Sequence, residues 1–140
     1  MALTAAERLR DWILTEPMTF TTEADLQQAI WDRLTAMAAD PADLSPIDET
    51  TLNREVRLDA RNRIDFLIDV YPEDGWKVCV GVEVKIKSAL AEVIRQLQRY
   101  ATFDAIDELL LVTTKASHHH VPDYIGGKRV VLCSLVERGL

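Results

Sequence analysis

Cysteine is nearly absent from the chain: Cys79 and Cys133 are the two present, and both fall in apolar, strand-like runs. Neither has a close Cys or His partner, so no metal motif is offered, and two buried free thiols are expected. Glycine and proline are scarce, five of each, which is the composition of an ordinary globular chain. No apolar run reaches the ~18 residues that a membrane helix needs. The N-terminal Met-Ala-Leu-Thr-Ala-Ala-Glu-Arg lacks the basic-then-apolar pattern of a signal peptide, so a cytoplasmic location is the expectation. Also missing are a glycine-rich phosphate loop, a nucleophile elbow, zinc-finger spacing, internal repeats and any linker. What remains is 140 residues at 48% hydrophobic, enough for one domain with a real core.

Positive charge is also in short supply, with 16 Lys and Arg against 23 Asp and Glu and a net charge of −7. This argues against a protein that coats DNA non-specifically. It leaves room for an enzyme that gathers Arg and Lys at one cleft and offsets its carboxylates with a metal ion. Binding to nucleic acid is then expected to be weak and salt-sensitive, or helped by a partner protein.

The most informative stretch runs from Arg63 to Tyr100. Residues 63–71 and 77–87 alternate, which sends successive side chains to opposite faces of a strand. Alternation places Ile64, Phe66, Ile68 and Val70 on one face and Asp65, Leu67 and Asp69 on the other. In the second run it separates Val78, Val80, Val82, Val84 and Ile86 from Cys79, Gly81, Glu83, Lys85 and Lys87. An Asp-Gly turn within Pro72–Trp76 predicts a hairpin, so Asp65, Glu83 and Lys85 converge near one end of the pair.

Around this stretch the pattern predicts α-α-β-β-β-α-β-β. Thr4 and Glu7 form a capping box for a helix over 4–14, which Pro17 ends. Thr22 caps a second helix over 23–39 with a stripe of Leu26, Ile30, Leu34 and Met37. Glu23 projects from the N-terminal end of that stripe. A polar loop is expected over Pro41–Thr50, then a strand over 51–58. In that strand Leu52, Arg54, Val56 and Leu58 face one way, and Glu55 and Arg57 the other. Ser88 caps a helix over 89–104 whose stripe is Leu90, Val93, Ile94, Leu97 and Ala101, with Gln96 and Tyr100 beside it. Leu109-Leu110-Leu111-Val112 reads as a strand buried on both faces within 107–114. A loop over 115–128, closing with Gly126-Gly127, precedes a last strand over 130–136. Asp48, Asp59 and Asp69 read as loop or edge acids.

Asp65 and Glu83 on one face repel each other unless a cation lies between them, and a hard divalent ion held by carboxylate oxygens meets that need. The pattern Ile64-Asp65 … Glu83-Val84-Lys85 resembles the PD-(D/E)xK nuclease superfamily, with Ile64 standing where the motif's name has Pro. Gln96-x-x-x-Tyr100 resembles the additional motif of RecB-type nuclease domains. The resemblance covers about residues 20–135. It implies an α/β, restriction-endonuclease-like domain with a mixed central sheet and a Mg²⁺-dependent hydrolysis of DNA phosphodiester bonds, with Mn²⁺ able to substitute. In that reading Asp65, Glu83 and the backbone carbonyl of Val84 bind the metal. Lys85 orients or deprotonates the attacking water, or neutralises charge on the phosphate. Gln96 and Tyr100 position substrate.

Each assignment has an alternative. The acids and lysines of the hairpin also fit a solvated face laced by ion pairs. The upstream acidic residue of the resembled superfamily is Glu23 or Glu55, and Glu23 also fits as an acid favoured by the helix dipole. Arg63 contacts phosphate or pairs with Asp65. Lys87, Arg95 and Arg99 fit exposed positions that touch phosphate or only solvent. His118-His119-His120 cannot all face one ion and is read as a site of adventitious metal capture. As a whole, the chain fits either a nuclease or a catalytically inactive relative that binds nucleic acid or a partner protein. Free ends, branched junctions, single-stranded DNA and RNA all remain open as substrates, as does a homodimer.

Overall fold

The computed structural model describes residues 3–39, 47–71 and 75–135, with the side chains of 48–50 excepted. In chain order the elements are α1 (Ala5–Ile13), α2 (Glu23–Ala38), β1 (Ile47–Arg57), β2 (Arg63–Val70), β3 (Val78–Lys85), α3 (Leu90–Ala101), β4 (Glu108–Thr113), a 3-10 helix (Ala116–His120), β5 (Tyr124–Ile125) and β6 (Lys128–Ser134). The six strands form one mixed sheet in the order β1-β2-β3-β4-β6-β5. Pairing is antiparallel from β1 to β3 and parallel from β3 through β4 to β6, and β5 returns antiparallel to β6. This is the expected α/β class, and its layout is consistent with a restriction-endonuclease-like arrangement. No helix among the described residues is long and apolar enough to cross a membrane.

Local chemistry sets the helices. Both expected N-caps form, and each is a reciprocal capping box: Thr4 with Glu7, and Thr22 with Asp25. Leu26, Ile30, Leu34 and Met37 are buried and, with α1, cover one face of the sheet. The α1 N-terminus is tied down by Glu108, whose Oε1 accepts the Ala6 N–H at 2.9 Å, a favourable place for an anion. Helix α3 covers the other face. It is shorter than the pattern predicts, and its N-cap is Ala89, not Ser88, with no side-chain cap. At its far end the Thr102 hydroxyl donates to the Arg99 carbonyl at 2.6 Å. The buried stripe is Val93, Leu97, Tyr100 and Ala101, with Leu90 and Ile94 only partly covered. Tyr100 therefore belongs to the stripe rather than its flank.

The all-apolar run is buried on both faces as expected. Leu110 and Val112 join the α1–α2 cluster, and Leu109 and Leu111 join the α3 cluster. Cys79 and Cys133 are buried free thiols, both pushed up to about 12 chiefly by burial. The expected 115–128 loop contains a 3-10 helix and β5. Gly126 and Gly127, with φ of 58° and 79°, make the tight turn into β6, a conformation open to glycine without strain. The polar loop expected through Thr50 ends sooner, since β1 starts at Ile47. The remainder of that loop, residues 72–74 of the expected hairpin turn, and Val136 lie outside the described residues.

Strict alternation fails at one level of the sheet. Phe66, Ile68 and Val70 pack under α1 and α2, but Ile64 packs under α3, contrary to the shared face that alternation predicts. Strand β1 does the same: Leu52 lies on the first face, and Val56 and Leu58 contact the second. The changes fall between the cross-strand pairs Arg54–Phe66 and Val56–Ile64, where Glu55 and Asp65 sit. Glu55 has φ of 51°, a left-handed conformation uncommon for a residue with a side chain. One such residue turns an extended chain about its axis, so the side chains after it fall on the opposite face.

Ile64 reaches the second face because Gly81 leaves room for it. A Cβ on Gly81 would lie 2.7 Å from Ile64 Cδ1 and 3.3 Å from Leu109 Cδ2. Gly81→Ala should therefore destabilise the fold by about 1–3 kcal/mol through overpacking. Ile64→Val removes the clashing methyl, so the double variant should lose less than the sum of the single losses. Denaturant melts of the four proteins check this; strict additivity would contradict the contact.

Candidate active site

The last β2–β3 cross-strand pair on one side is Phe66–Val82. Beyond it, side chains take over the main-chain bonding. Val84 N–H donates to Asp65 Oδ2 at 2.8 Å, and Asp65 N–H donates to Glu83 Oε1 at 3.3 Å. Lys85 Nζ lies 3.0 Å from Glu83 Oε2. The three residues expected to converge do so. Helix α2 closes one side: Glu23 Oε1 accepts the Ile86 N–H at 3.3 Å, and Gln27 Nε2 donates to Asp65 Oδ1 at 3.2 Å. Gln27 was not singled out from the sequence. Its signal is its position one helical turn after Glu23, which puts both on one face of α2.

Burial sets the electrostatics. Glu83 is 2% exposed. Burial first, and Asp65 second, push its carboxyl up to about 7 against the opposing pull of Lys85. Burial also raises Asp65, opposed by the Val84 N–H and Lys85 and aided by Glu23. For Lys85 burial works against the charge, yet Glu83, Glu23 and Asp65 outweigh it and hold the ammonium above the usual lysine range. Three carboxyl groups thus surround one ammonium, and the two deepest have raised proton affinity. Such a donor set favours any added positive charge.

That chemistry fits a hard divalent ion. Asp65 and Glu83 supply two carboxylates, and Mg²⁺ typically binds through one or two carboxylates plus waters. Among the described residues no group of three or more His, Cys, Asp or Glu side chains is placed to hold an ion. Glu23 is the acid beside Asp65, as its place among the charges acting on that residue shows. Glu55 is exposed and forms no ion pair among the described residues.

On the other side Gln96 Nε2 donates to the Tyr100 hydroxyl at 2.8 Å, and that hydroxyl donates to the Arg63 carbonyl at 2.9 Å. Burial, then Glu83 and Asp65, raise the Tyr100 hydroxyl, which places it beside the carboxylates. Tyr100 is 1% exposed. The ring is packing and the hydroxyl is a strut. Arg63 is exposed and forms no ion pair with Asp65 among the described residues. Lys87 is exposed too. A cavity of about 360 Å³, lined by Lys85, Ser88, Glu92, Arg95, Gln96 and Arg99, opens beside the site.

The three histidines do not converge. His118 is fully buried, with Nδ1 2.6 Å from Thr113 Oγ1 and Nε2 2.6 Å from the Ser88 carbonyl, and His119 Nε2 meets Ser134 Oγ at 2.8 Å. Lys115 Nζ also donates to the Lys87 and Ser88 carbonyls, at 3.2 and 3.4 Å. His118 and Lys115 together fix the β3–α3 junction, and with it the direction in which Lys85 and Gln96 are presented. No protein-family model, curated protein or solved structure matches the chain.

The raised Glu83 carboxyl makes stability depend on pH. Between pH 4.5 and about 7 the folded chain keeps a proton on Glu83 that the unfolded chain has released. Stability without metal should therefore fall as pH rises through that window. Glu83→Gln should flatten the slope, and Mg²⁺ should raise the melting temperature more above the window than below it. A slope unchanged in Glu83→Gln would contradict the assignment. In parallel, Tyr100→Phe leaves the part-buried Arg63 carbonyl without its donor and should cost about 1 kcal/mol. Gln96→Ala should cost within about 0.5 kcal/mol. Denaturant melts compare the two.

Proposed function

We propose that the chain is a metal-dependent nuclease of the PD-(D/E)xK type that hydrolyses phosphodiester bonds in DNA. The observation that carries this reading is the junction of Asp65, Glu83 and Lys85 at the open end of the β2–β3 ladder, with Glu23 and Gln27 on one side and Gln96 and Tyr100 on the other. The fold alone would not support it, since one architecture serves many functions. Asp65, Glu83 and the Val84 carbonyl would hold Mg²⁺ or Mn²⁺. Such an ion, when bound, offsets the charge between carboxylates and phosphate and acidifies a bound water.

The chain's own groups supply the rest. Gln27 and the Val84 N–H fix the Asp65 carboxylate by a bond to each oxygen, so little reorganisation is needed when substrate arrives. Lys85, half-buried beside Glu83, presents ammonium donors toward the cavity whose wall it shares with Gln96. Its place beside Glu83 and on the cavity wall supports a role in orienting water and stabilising charge on the phosphate. Gln96, anchored through Tyr100, offers its remaining amide atoms to substrate.

A catalytically inactive relative is the second reading, favoured by the lack of a third carboxylate completing the ion site among the described residues. Assays on single-stranded, duplex and branched DNA distinguish the two. Cleavage should require Mg²⁺ or Mn²⁺ and stop in EDTA. Asp65→Asn should abolish it, and Lys85→Ala should lower the rate by about 10²–10³-fold, as for loss of a transition-state donor. Cleavage that persists in excess EDTA contradicts the proposal. Absence of cleavage on every substrate with either ion favours the inactive relative.

A further inference from the structure

We infer that the β1–β2 turn and the outer flank of α3 form a track for the sugar–phosphate backbone of one DNA strand leading away from the candidate site. This rests on the nucleic-acid reading above and adds where the strand runs. Five arginines lie on or beside these two elements. Arg57 and Arg63 are cross-strand partners, both exposed. Like charges directly opposite each other destabilise a strand pair. Arg61 lies in the turn between them. Arg95 and Arg99 are one helical turn apart on α3, and Arg99 Nε donates to Asn62 Oδ1 of the same turn at 3.1 Å, joining the two elements. Among the described residues none of the five is in an ion pair, in a chain whose acids outnumber its bases.

The turn is firmly built rather than a loose cluster. Asp59 Oδ1 accepts the N–H groups of Arg61 and Asn62, at 2.8 and 2.7 Å, and the Asn62 amide at 3.0 Å. The nearest carboxylate is thereby used within the turn. On α3, the cavity that begins at Lys85 runs past Arg95 and Gln96 to Arg99, with Glu92 the acid in its lining. From Glu92 to Arg99 the helix rises ~10 Å at 1.5 Å per residue. That matches the rise of about three base pairs, ~3.4 Å each, along a duplex axis. Guanidinium forks suit phosphate oxygens. The exposed aromatics Tyr71, Trp76 and Tyr124 all lie elsewhere, so the track holds backbone and does not stack bases. It is therefore insensitive to sequence.

The test uses the Arg61→Gln/Arg95→Gln double variant, because neither side chain makes a hydrogen bond or ion pair among the described residues. Labelled single-stranded and duplex DNA are titrated in EDTA at several salt concentrations and followed by fluorescence anisotropy. The double variant should bind more weakly than the wild type. Its plot of log affinity against log salt should be shallower by about 0.7 per lost contact on single strands, or about 0.9 on duplex. Its melting temperature should be unchanged, and Arg61→Lys/Arg95→Lys should keep most of the slope. Equal affinity and slope in the Gln variant overturn the track, as does failure of the wild type to bind either DNA. If DNA binding depends on the arginines but no cleavage occurs with Mg²⁺ or Mn²⁺, the track stands and the nuclease reading falls. Cleavage with arginine-independent binding is the reverse.

Discussion

Two hydrogen bonds at the end of the β2–β3 ladder hold the whole site in place: Val84 N–H to Asp65, and Asp65 N–H to Glu83. Buried main-chain donors must be satisfied, and in a sheet a neighbouring carbonyl normally does it. Here the strands have ceased regular pairing, and acidic side chains do it instead. The same atoms that close the backbone accounting are carboxylates carried into a buried place. Backbone pairing and site electrostatics are therefore not separable at Asp65. Its carboxylate accepts from the backbone on one oxygen and from Gln27 on the other.

Burying two carboxylates together is unfavourable unless positive charge compensates them. Lys85 supplies one ammonium, and Glu23 brings a further carboxyl from α2. The site is left short of positive charge in a chain that is acidic overall. Five arginines, none in an ion pair among the described residues, lie at the β1–β2 turn and on α3. Two of them, Arg95 and Arg99, line one cavity with Lys85. The junction of His118 and Lys115 with the Ser88 carbonyl holds β3 and α3 in the register that makes the two regions adjoin.

Much of this was legible in residue pattern. The capping box at Thr4, the N-cap at Thr22, the doubly buried Leu109–Val112 run, the antiparallel hairpin and the convergence of Asp65, Glu83 and Lys85 all follow from local rules of spacing and polarity. Period-two reasoning failed at Ile64 because β2 changes face at the same level as β1, whose Glu55 is left-handed, and nothing in the letter Glu announces a positive φ. Tyr100 was misplaced because helical spacing alone puts it at the stripe's margin. Its burial comes from the packing of α3 against a β2 that has already crossed over, with the Arg63 carbonyl as partner. Ser88 is a plausible cap by type, but the helix is capped at Ala89, and the Ser88 carbonyl is held by Lys115 and by His118 of the 3-10 helix. Gln27 went unnoticed because an amide on a helix face has many uses, and only its contact with Asp65 selects one.

The central claim is that Asp65 and Glu83 together form a cation site. Crystals soaked in Mn²⁺ and measured at the manganese absorption edge test it most directly. The account predicts an anomalous peak in contact with carboxylate oxygens of both residues, lost in Asp65→Asn. Density with no such peak, and with Lys85 still seated on Glu83 at saturating Mn²⁺, would contradict it.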